Sequence, residues 1–176
     1  MNVDGIDWSA WEPVERANLC FVVRDGRILL IRKKRGLGAG YYNGPGGRVE
    51  PGETPLASAV REVREELGVT PTGVSEAGTL LFHFLDGYRL HVDVFRAAGC
   101  EGEPRETDEA SPHWFPTDAV PYAEMWADDP HWLPLMLAGT GFFGRFVFDG
   151  KRLLSHRVES RPGSRPDGVR PNEGTP

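Results

Sequence analysis

The stretch GRVEPGETPLASAVREVREELGV, residues 47–69, decides how the rest of this 176-residue chain is read. It places glycine at 47 and 68, glutamate at 53, and the charged group Arg61, Glu62, Glu65 and Glu66 around the aliphatic Val63, with Val69 behind. Thr54 followed by Pro55 predicts a helix start: a hydroxyl N-cap, then proline at the first helical position. Gly68 predicts its end, because the left-handed backbone that closes a helix carries no Cβ penalty at glycine. Between them Leu56, Val60, Val63 and Leu67 recur at helical spacing and predict one buried stripe. At about 100° per residue, Glu62, Glu65 and Glu66 fan out over the other, solvent-facing side. Carboxylates packed this closely repel one another. A divalent cation makes the arrangement favourable, and hard oxygen ligands suit Mg²⁺, with Mn²⁺ as the alternative. The competing reading is a solvated helix face in which Arg61 and Arg64 pair with neighbouring glutamates; the complete spacing favours the metal.

Length and charge narrow the function further. A chain of this size fits one domain with a real core. The net charge of −6 and pI near 5.4 argue against binding a nucleic acid polymer. A small nucleotide held through metal ions suits an acidic protein. Arg32-Lys33-Lys34-Arg35 is a local basic exception. Cys20 and Cys100 are far from any ligand spacing and read as free thiols of a reducing compartment. No apolar stretch approaches about 18 residues, and Met1–Pro13 lacks the basic start and apolar centre of a signal peptide. A cytoplasmic monomer without membrane association is expected.

Three Asp-Gly pairs predict β-hairpins. Asp25-Gly26 joins Leu19–Arg24 to Arg27–Arg32, Asp86-Gly87 joins Thr79–Leu85 to Tyr88–Ala97, and Asp149-Gly150 joins Phe142–Phe148 to Lys151–Val158. Gly36–Gly47 is a glycine-rich loop; its GLGAG is no dinucleotide fingerprint, because no helix opens directly after it. A second helix is expected within Asp129–Ala138, limited in regularity by Pro134. Strands flanked by two helices give an α/β sandwich. Ser160–Pro176 holds four prolines, three glycines and a single aliphatic residue, Val169, and is expected to be disordered.

The spacing over 47–69 resembles the Nudix box, the signature of hydrolases that cut nucleoside diphosphates linked to another moiety. KKRGLGAGYYNGPGGRVEPGE from Lys33, DEASPHWF from Asp108 and MWADDPHWLPLML from Met125 extend the likeness from about Ala17 to Glu159. They resemble the branch related to MutT that acts on oxidised purine nucleoside triphosphates, the 8-oxo-dGTP diphosphatase type. The resemblance implies a Nudix α/β/α sandwich with a mixed β-sheet. It also implies a division into an N-terminal extension (1–16), a Nudix domain (17–159) and a tail (160–176).

Residue by residue, the resemblance implies that Glu62, Glu65 and Glu66 bind metal, joined by Glu109 and by the Gly46 carbonyl. One of Glu65, Glu66 and Glu109 would serve as general base. Glu53 and Arg61 resemble a pair that braces the loop against the helix. Trp126, Asp128 and Asp129 match a purine pocket, Asn43 a side chain that reads the base edge, and Asn18, Lys33 and Phe82 further pocket positions. An indole face is a broad stacking platform. Adjacent carboxylates can raise one pKa and keep a proton available as a donor, which suits the altered edge of an oxidised base. Asn18, Leu37, Tyr42 and Pro45 depart from residues usual in that branch, and all surround the base. The five histidines show no ligand spacing and read as structural or exposed. The implied reaction is Mg²⁺-dependent hydrolysis of 8-oxo-dGTP, and of 2-hydroxy-dATP, to the monophosphate and pyrophosphate, which cleanses the nucleotide pool. Alternatives are a Nudix hydrolase acting on ADP-ribose or a dinucleoside polyphosphate, and a non-catalytic nucleotide-sensing module. The Trp-x-Asp-Asp segment and the intact REVREE speak for the first.

Overall fold

Asp25 and Gly26 both adopt positive φ (51° and 70°), the two-residue turn whose twist matches a hairpin. They join strand β1 (Glu15–Arg24) to β2 (Arg27–Lys33) in this computed structural model, which describes residues 1–161. Asp86-Gly87 turns as expected, between β4 (Thr70–Phe84) and β5 (Arg89–Glu101). In the third hairpin Asp149 is still paired, with Arg152, so that Gly150 and Lys151 make the turn between β7 (Gly141–Asp149) and β8 (Arg152–Arg161). The two-residue β3 (Tyr42–Asn43) and β6 (Ala110–Pro116) both pair with β2. The main strand order is β3-β2-β1-β5-β4-β7-β8. The sheet is mixed, because β1 runs parallel to β5 and β4 parallel to β7.

Helix α1 (Pro55–Leu67) packs on β1, β4, β5 and β6, and α2 (Asp129–Leu137) packs on β7 and β8. Each covers its own apolar cluster. Cys20, Val22, Phe95 and Ala97 meet α1, whereas Phe21, Leu80, Val94 and Phe146 meet the aromatic cluster around Trp132 of α2. The result is the expected α/β/α sandwich. The first residues are also part of this body: Val3 is buried, Asp4 pairs with Arg157 at 2.9 Å, and the Val14 amide donates to the Arg89 carbonyl. Ser160 and Arg161, expected in the tail, pair with Phe142 and Gly141 at the end of β8; the remainder of the tail lies outside the described residues. No helix among the described residues is long and apolar enough to cross a membrane.

The ends of α1 are as its sequence predicts. The Thr54 hydroxyl accepts from the Ala57 amide at 3.1 Å, and Gly68 closes the helix at φ 70°. Its buried face is not. Leu56 is 45% exposed and Val60 only half-buried, whereas Ser58, Ala59, Val63, Glu66 and Leu67 are buried. The first turn projects beyond the strands, and the small Ala59 lets the helix sit close on the sheet with its contact line rotated toward 59, 63, 66 and 67. That rotation carries Glu66 inward with Val63 and Leu67. Leu56→Ala should therefore change stability by no more than about 0.5 kcal/mol. Ala59→Leu should cost about 1–3 kcal/mol through overpacking. Urea unfolding of the two variants checks the assignment, and the reverse ranking would restore the stripe through Leu56.

Candidate active site

Glycine at 46 and 47 is dictated by close approach. A Cβ at Gly46 would lie 2.0 Å from the Asn18 carbonyl oxygen, and one at Gly47 would lie 2.4 Å from the carboxyl carbon of Glu62. The segment is stitched to β1 by Cys20 N–H to the Pro45 carbonyl, Asn18 N–H to the Gly47 carbonyl and Val49 N–H to the Arg16 carbonyl. It therefore forms a wall with α1 on one side and a cavity on the other.

On the α1 side stand the carboxylates. The Arg61 guanidinium grips Glu53 with two bonds of 2.6 and 3.0 Å, reaches Glu62 at 2.9 Å and Glu65 at 3.1 Å, and donates to the Arg48 carbonyl. Glu53 and Arg61 thus brace the loop on the helix. Hydrogen bonds from Arg61 hold the Glu53 carboxyl down at about 2. Arg64, which the competing solvated-face reading would pair with a glutamate, bonds the Thr70 hydroxyl. Glu62 is raised first by burial, with Arg61 opposing and Glu65 and Glu109 adding repulsion. Glu66, expected to face solvent, is 4% exposed, and its Oε2 is buried without a hydrogen-bond partner. Burial and the neighbouring Glu62 push it up to about 8, against the pull of Lys33 and the Gly46 backbone. Glu109 is half-exposed and pairs with Arg35 at 3.2 Å. Its loop is tied to α1 by the Thr107 hydroxyl, which donates to the Glu66 carbonyl at 2.8 Å and accepts from the Glu109 amide.

Among the described residues, no three His, Cys, Asp or Glu side chains are grouped closely enough to hold a metal ion by themselves. A hard cation such as Mg²⁺ commonly completes its shell with waters and substrate phosphates. The unpartnered Glu66 oxygen, amid repelling carboxylates, is an acceptor that a divalent cation would satisfy. The residues present fit the group.

Across the wall is a cavity of about 310 Å³. All seven expected pocket residues line it: Asn18, Lys33, Asn43, Phe82, Trp126, Asp128 and Asp129, with Gly46 at its edge. Asn18 is buried; its amide donates to Ser58 Oγ at 2.8 Å, and Ser58 donates onward to the Arg48 carbonyl at 3.0 Å. Asn18 Oδ1 has no partner. Trp126 stands edge-on to Tyr41 and to Phe148, each with ring centroids 5.7 Å away. Phe82 stacks on Phe146. Asp128 and Asp129 are each 3% exposed. Asp128 occupies the N-cap position of α2 but makes no capping bond; it accepts instead from the Trp132 indole at 2.9 Å. Asp129 accepts from the Trp126 amide. Burial raises both carboxyls, and Asp129 also faces the charge of Asp128. The pair therefore favours holding a proton. None of the five histidines lines the cavity.

Several lining or supporting groups escape a reading of the sequence. Ser58 stands three and four residues before Arg61 and Glu62 and so shares their helix face, a spacing that could have been used. Trp132 stands one helical turn after Asp128, again a readable spacing. Glu15, Arg48 and Tyr88 also line the cavity, and no local pattern marks them.

Residues 13–136 match the NUDIX domain. The chain is 46% identical over 143 residues to the oxidized purine nucleoside triphosphate hydrolase of Danio rerio, covering 80% of this chain and 92% of the relative. It is 41% identical over 142 residues to the protein of the same name from Mus musculus, covering 80% and 91%. The crystal structure of the MutT mutator protein of Bacillus halodurans matches with a TM-score of 0.74 at 28% identity, over 83% of this chain and 98% of that one. The chain belongs to the Nudix family of hydrolases. Members of this family generally use divalent metal ions.

Burial of Glu66 has a measurable sign. Its folded-state pKa lies far above that of an exposed carboxyl, so in metal-free protein stability is highest below the unfolded value. It falls as pH rises through the interval from about 4.5 to about 8. Glu66→Gln should abolish most of that slope and raise the metal-free Tm at pH 8 by several degrees. It should also lower turnover about 10²-fold or more, as expected when a metal ligand is neutralised. Calorimetry with chelator, paired with pyrophosphate release, checks both; a wild-type slope in the variant would show that Glu66 is not the group responsible.

Proposed function

We propose that this protein hydrolyses oxidised purine nucleoside triphosphates, 8-oxo-dGTP first and 2-hydroxy-dATP second, to the monophosphate and pyrophosphate. The observation that carries this reading is the buried Asp128–Asp129 pair in an aromatic cavity that shares a wall with the carboxylate helix. The similarity to hydrolases named for oxidised purine nucleoside triphosphates supports it. An ordinary purine edge and an oxidised one differ in where donors and acceptors lie. One proton shared by Asp129 and Asp128, the latter fixed by Trp132, supplies one donor and one acceptor side by side. Trp126 offers the stacking face, and Asn43 and Lys33 supply further polar contacts. The unit responsible is the stretch 17–159.

Glu62, Glu65, Glu66, Glu109 and the Gly46 carbonyl would hold Mg²⁺. When bound, the cation neutralises phosphate charge and makes water a better nucleophile. The remaining work falls to the chain itself. The Gly46–Gly47 wall admits the phosphate chain beside α1, and Arg61 keeps Glu62 and Glu65 oriented. One of Glu65, Glu66 and Glu109 takes the proton from water as its oxygen bonds to phosphorus and the α–β anhydride bond breaks. Pyrophosphate leaves, and the nucleoside monophosphate remains in the cavity until it dissociates.

Pyrophosphate release should be fastest with 8-oxo-dGTP in a panel with 2-hydroxy-dATP, dGTP and ADP-ribose. Faster turnover of ADP-ribose would overturn the proposal. Asp128→Asn and Asp129→Asn should each raise KM for oxidised purines by about 5- to 150-fold, the effect of roughly 1–3 kcal/mol for an unpaired buried polar group. Their dependence on Mg²⁺ concentration should remain that of the wild type. Because the donor is a proton held by raised carboxyls, wild-type KM should increase as pH climbs above the pair's range. An unchanged KM and base preference in both variants would place base recognition elsewhere.

A further inference from the structure

Glu15 stands at the start of β1, level with Leu90 of β5, and its side chain is only 19% exposed. Its carboxylate accepts from the Tyr88 hydroxyl through one oxygen and from Arg48 Nε through the other. Tyr88 is held in place independently: its ring lies against Phe84, with centroids 5.6 Å apart, and its amide donates to Asp86 in the hairpin turn. Arg48 follows the Gly46–Gly47 wall directly and is largely exposed. All three residues line the nucleotide cavity.

An acidic group at the edge of a cavity that admits a polyanion raises an electrostatic objection. Arg48 answers it by neutralising Glu15 in place. What survives is acceptor capacity: an ionised carboxylate offers about four lone-pair sites, and two donors occupy only two of them. The Tyr88 oxygen adds a further acceptor. Burial and Glu15 push the Tyr88 hydroxyl up to about 12, so it keeps its proton and stays a donor to Glu15. The location is equally favourable. Arg48 is one residue from Gly47, which abuts Glu62, and its bridge to Ala17 of β1 leads into the base-lined part of the cavity. Arg48 thus connects this edge to the wall beside Glu62, and a nucleotide spanning cavity and carboxylates would pass it with its sugar.

We propose that Glu15, oriented by Tyr88 and Arg48, accepts a hydrogen bond from a hydroxyl of the nucleotide's sugar. Glu15 is the specificity-determining residue, and Tyr88 is a positioning residue that acts through it. The inference rests on the nucleotide reading of the cavity, but not on the oxidised base.

Binding of nucleoside monophosphates by titration calorimetry tests it without requiring turnover. The ligands are the ribo, 2′-deoxy and 2′,3′-dideoxy forms, each carrying guanine or 8-oxoguanine. In wild-type protein, removing the recognised hydroxyl should weaken binding about fivefold to tenfold. In Glu15→Ala the same removal should change Kd by less than about twofold, the residual expected once the acceptor is gone. Tyr88→Phe, which keeps the ring on Phe84, should give an intermediate ratio and guards against a β1 disturbed by the first substitution. A role confined to clamping β1 to the hairpin would weaken all sugars equally. Equal hydroxyl ratios in the three proteins, or no hydroxyl dependence in the wild type, overturn the proposal. The guanine-to-8-oxoguanine ratio is read from the same titrations, so failure of the base reading shows separately.

Discussion

One guanidinium organises the hydrolytic half of this protein. Arg61 spends its donors on Glu53, Glu62, Glu65, the Arg48 carbonyl and Ser58, at distances from 2.6 to 3.3 Å. A lysine could not replace it, because only the rigid fork meets Glu53 with two parallel bonds while its other edge faces the helix. The loop 46–53 is thereby locked to α1, and the glycine wall is held against β1. The depth of the cavity and the orientation of two of the carboxylates both follow from that single clamp.

The same physical problem, an acid taken out of water, arises on both sides of the wall and has two different resolutions. Glu66 lies buried with an unpartnered oxygen beside other carboxylates, and a cation would relieve it. Asp128 and Asp129 lie buried beside each other with indole and amide donors, and a proton relieves them. The difference is in the neighbours. Around Glu66, burial and the carboxylates Glu62 and Glu109 exceed the pull of Lys33 and the Gly46 backbone. Around the aspartates the cavity wall is largely aromatic, which favours a carboxyl proton. One chain thus buries the same kind of side chain in two different settings.

Features that depend on a few adjacent residues are legible in the sequence itself. The three hairpins, the Thr54 cap and the Gly68 stop are of this kind; only the third turn is displaced, by one residue, from Asp149-Gly150 to Gly150-Lys151. Which face of α1 is buried depends instead on how the helix is set on the sheet. Leu56 and Glu66 accordingly exchange the places that hydrophobicity alone assigns them. The pocket residues are reachable through resemblance, whereas Glu15 and Tyr88 meet only because β1 and β5 pair in parallel. Ordinary acidic and aromatic residues so far apart carry no local mark of their meeting.

That parallel pairing also bears on how the molecule comes apart. The carboxylates of α1 and the Arg61 clamp are close in sequence. The cavity draws on Asn18, Asn43, Phe82, Trp126 and Phe148, brought together by joining Ala17 to Val92 and Gly78 to Phe142. Long-range pairings carry the loop-closure entropy and form late in folding. Parting β7 from β4 would take Phe148 out of the cavity wall and leave the contacts of Arg61, all within residues 48–65, in place. The two halves of the site thus depend on contacts of very different sequence range.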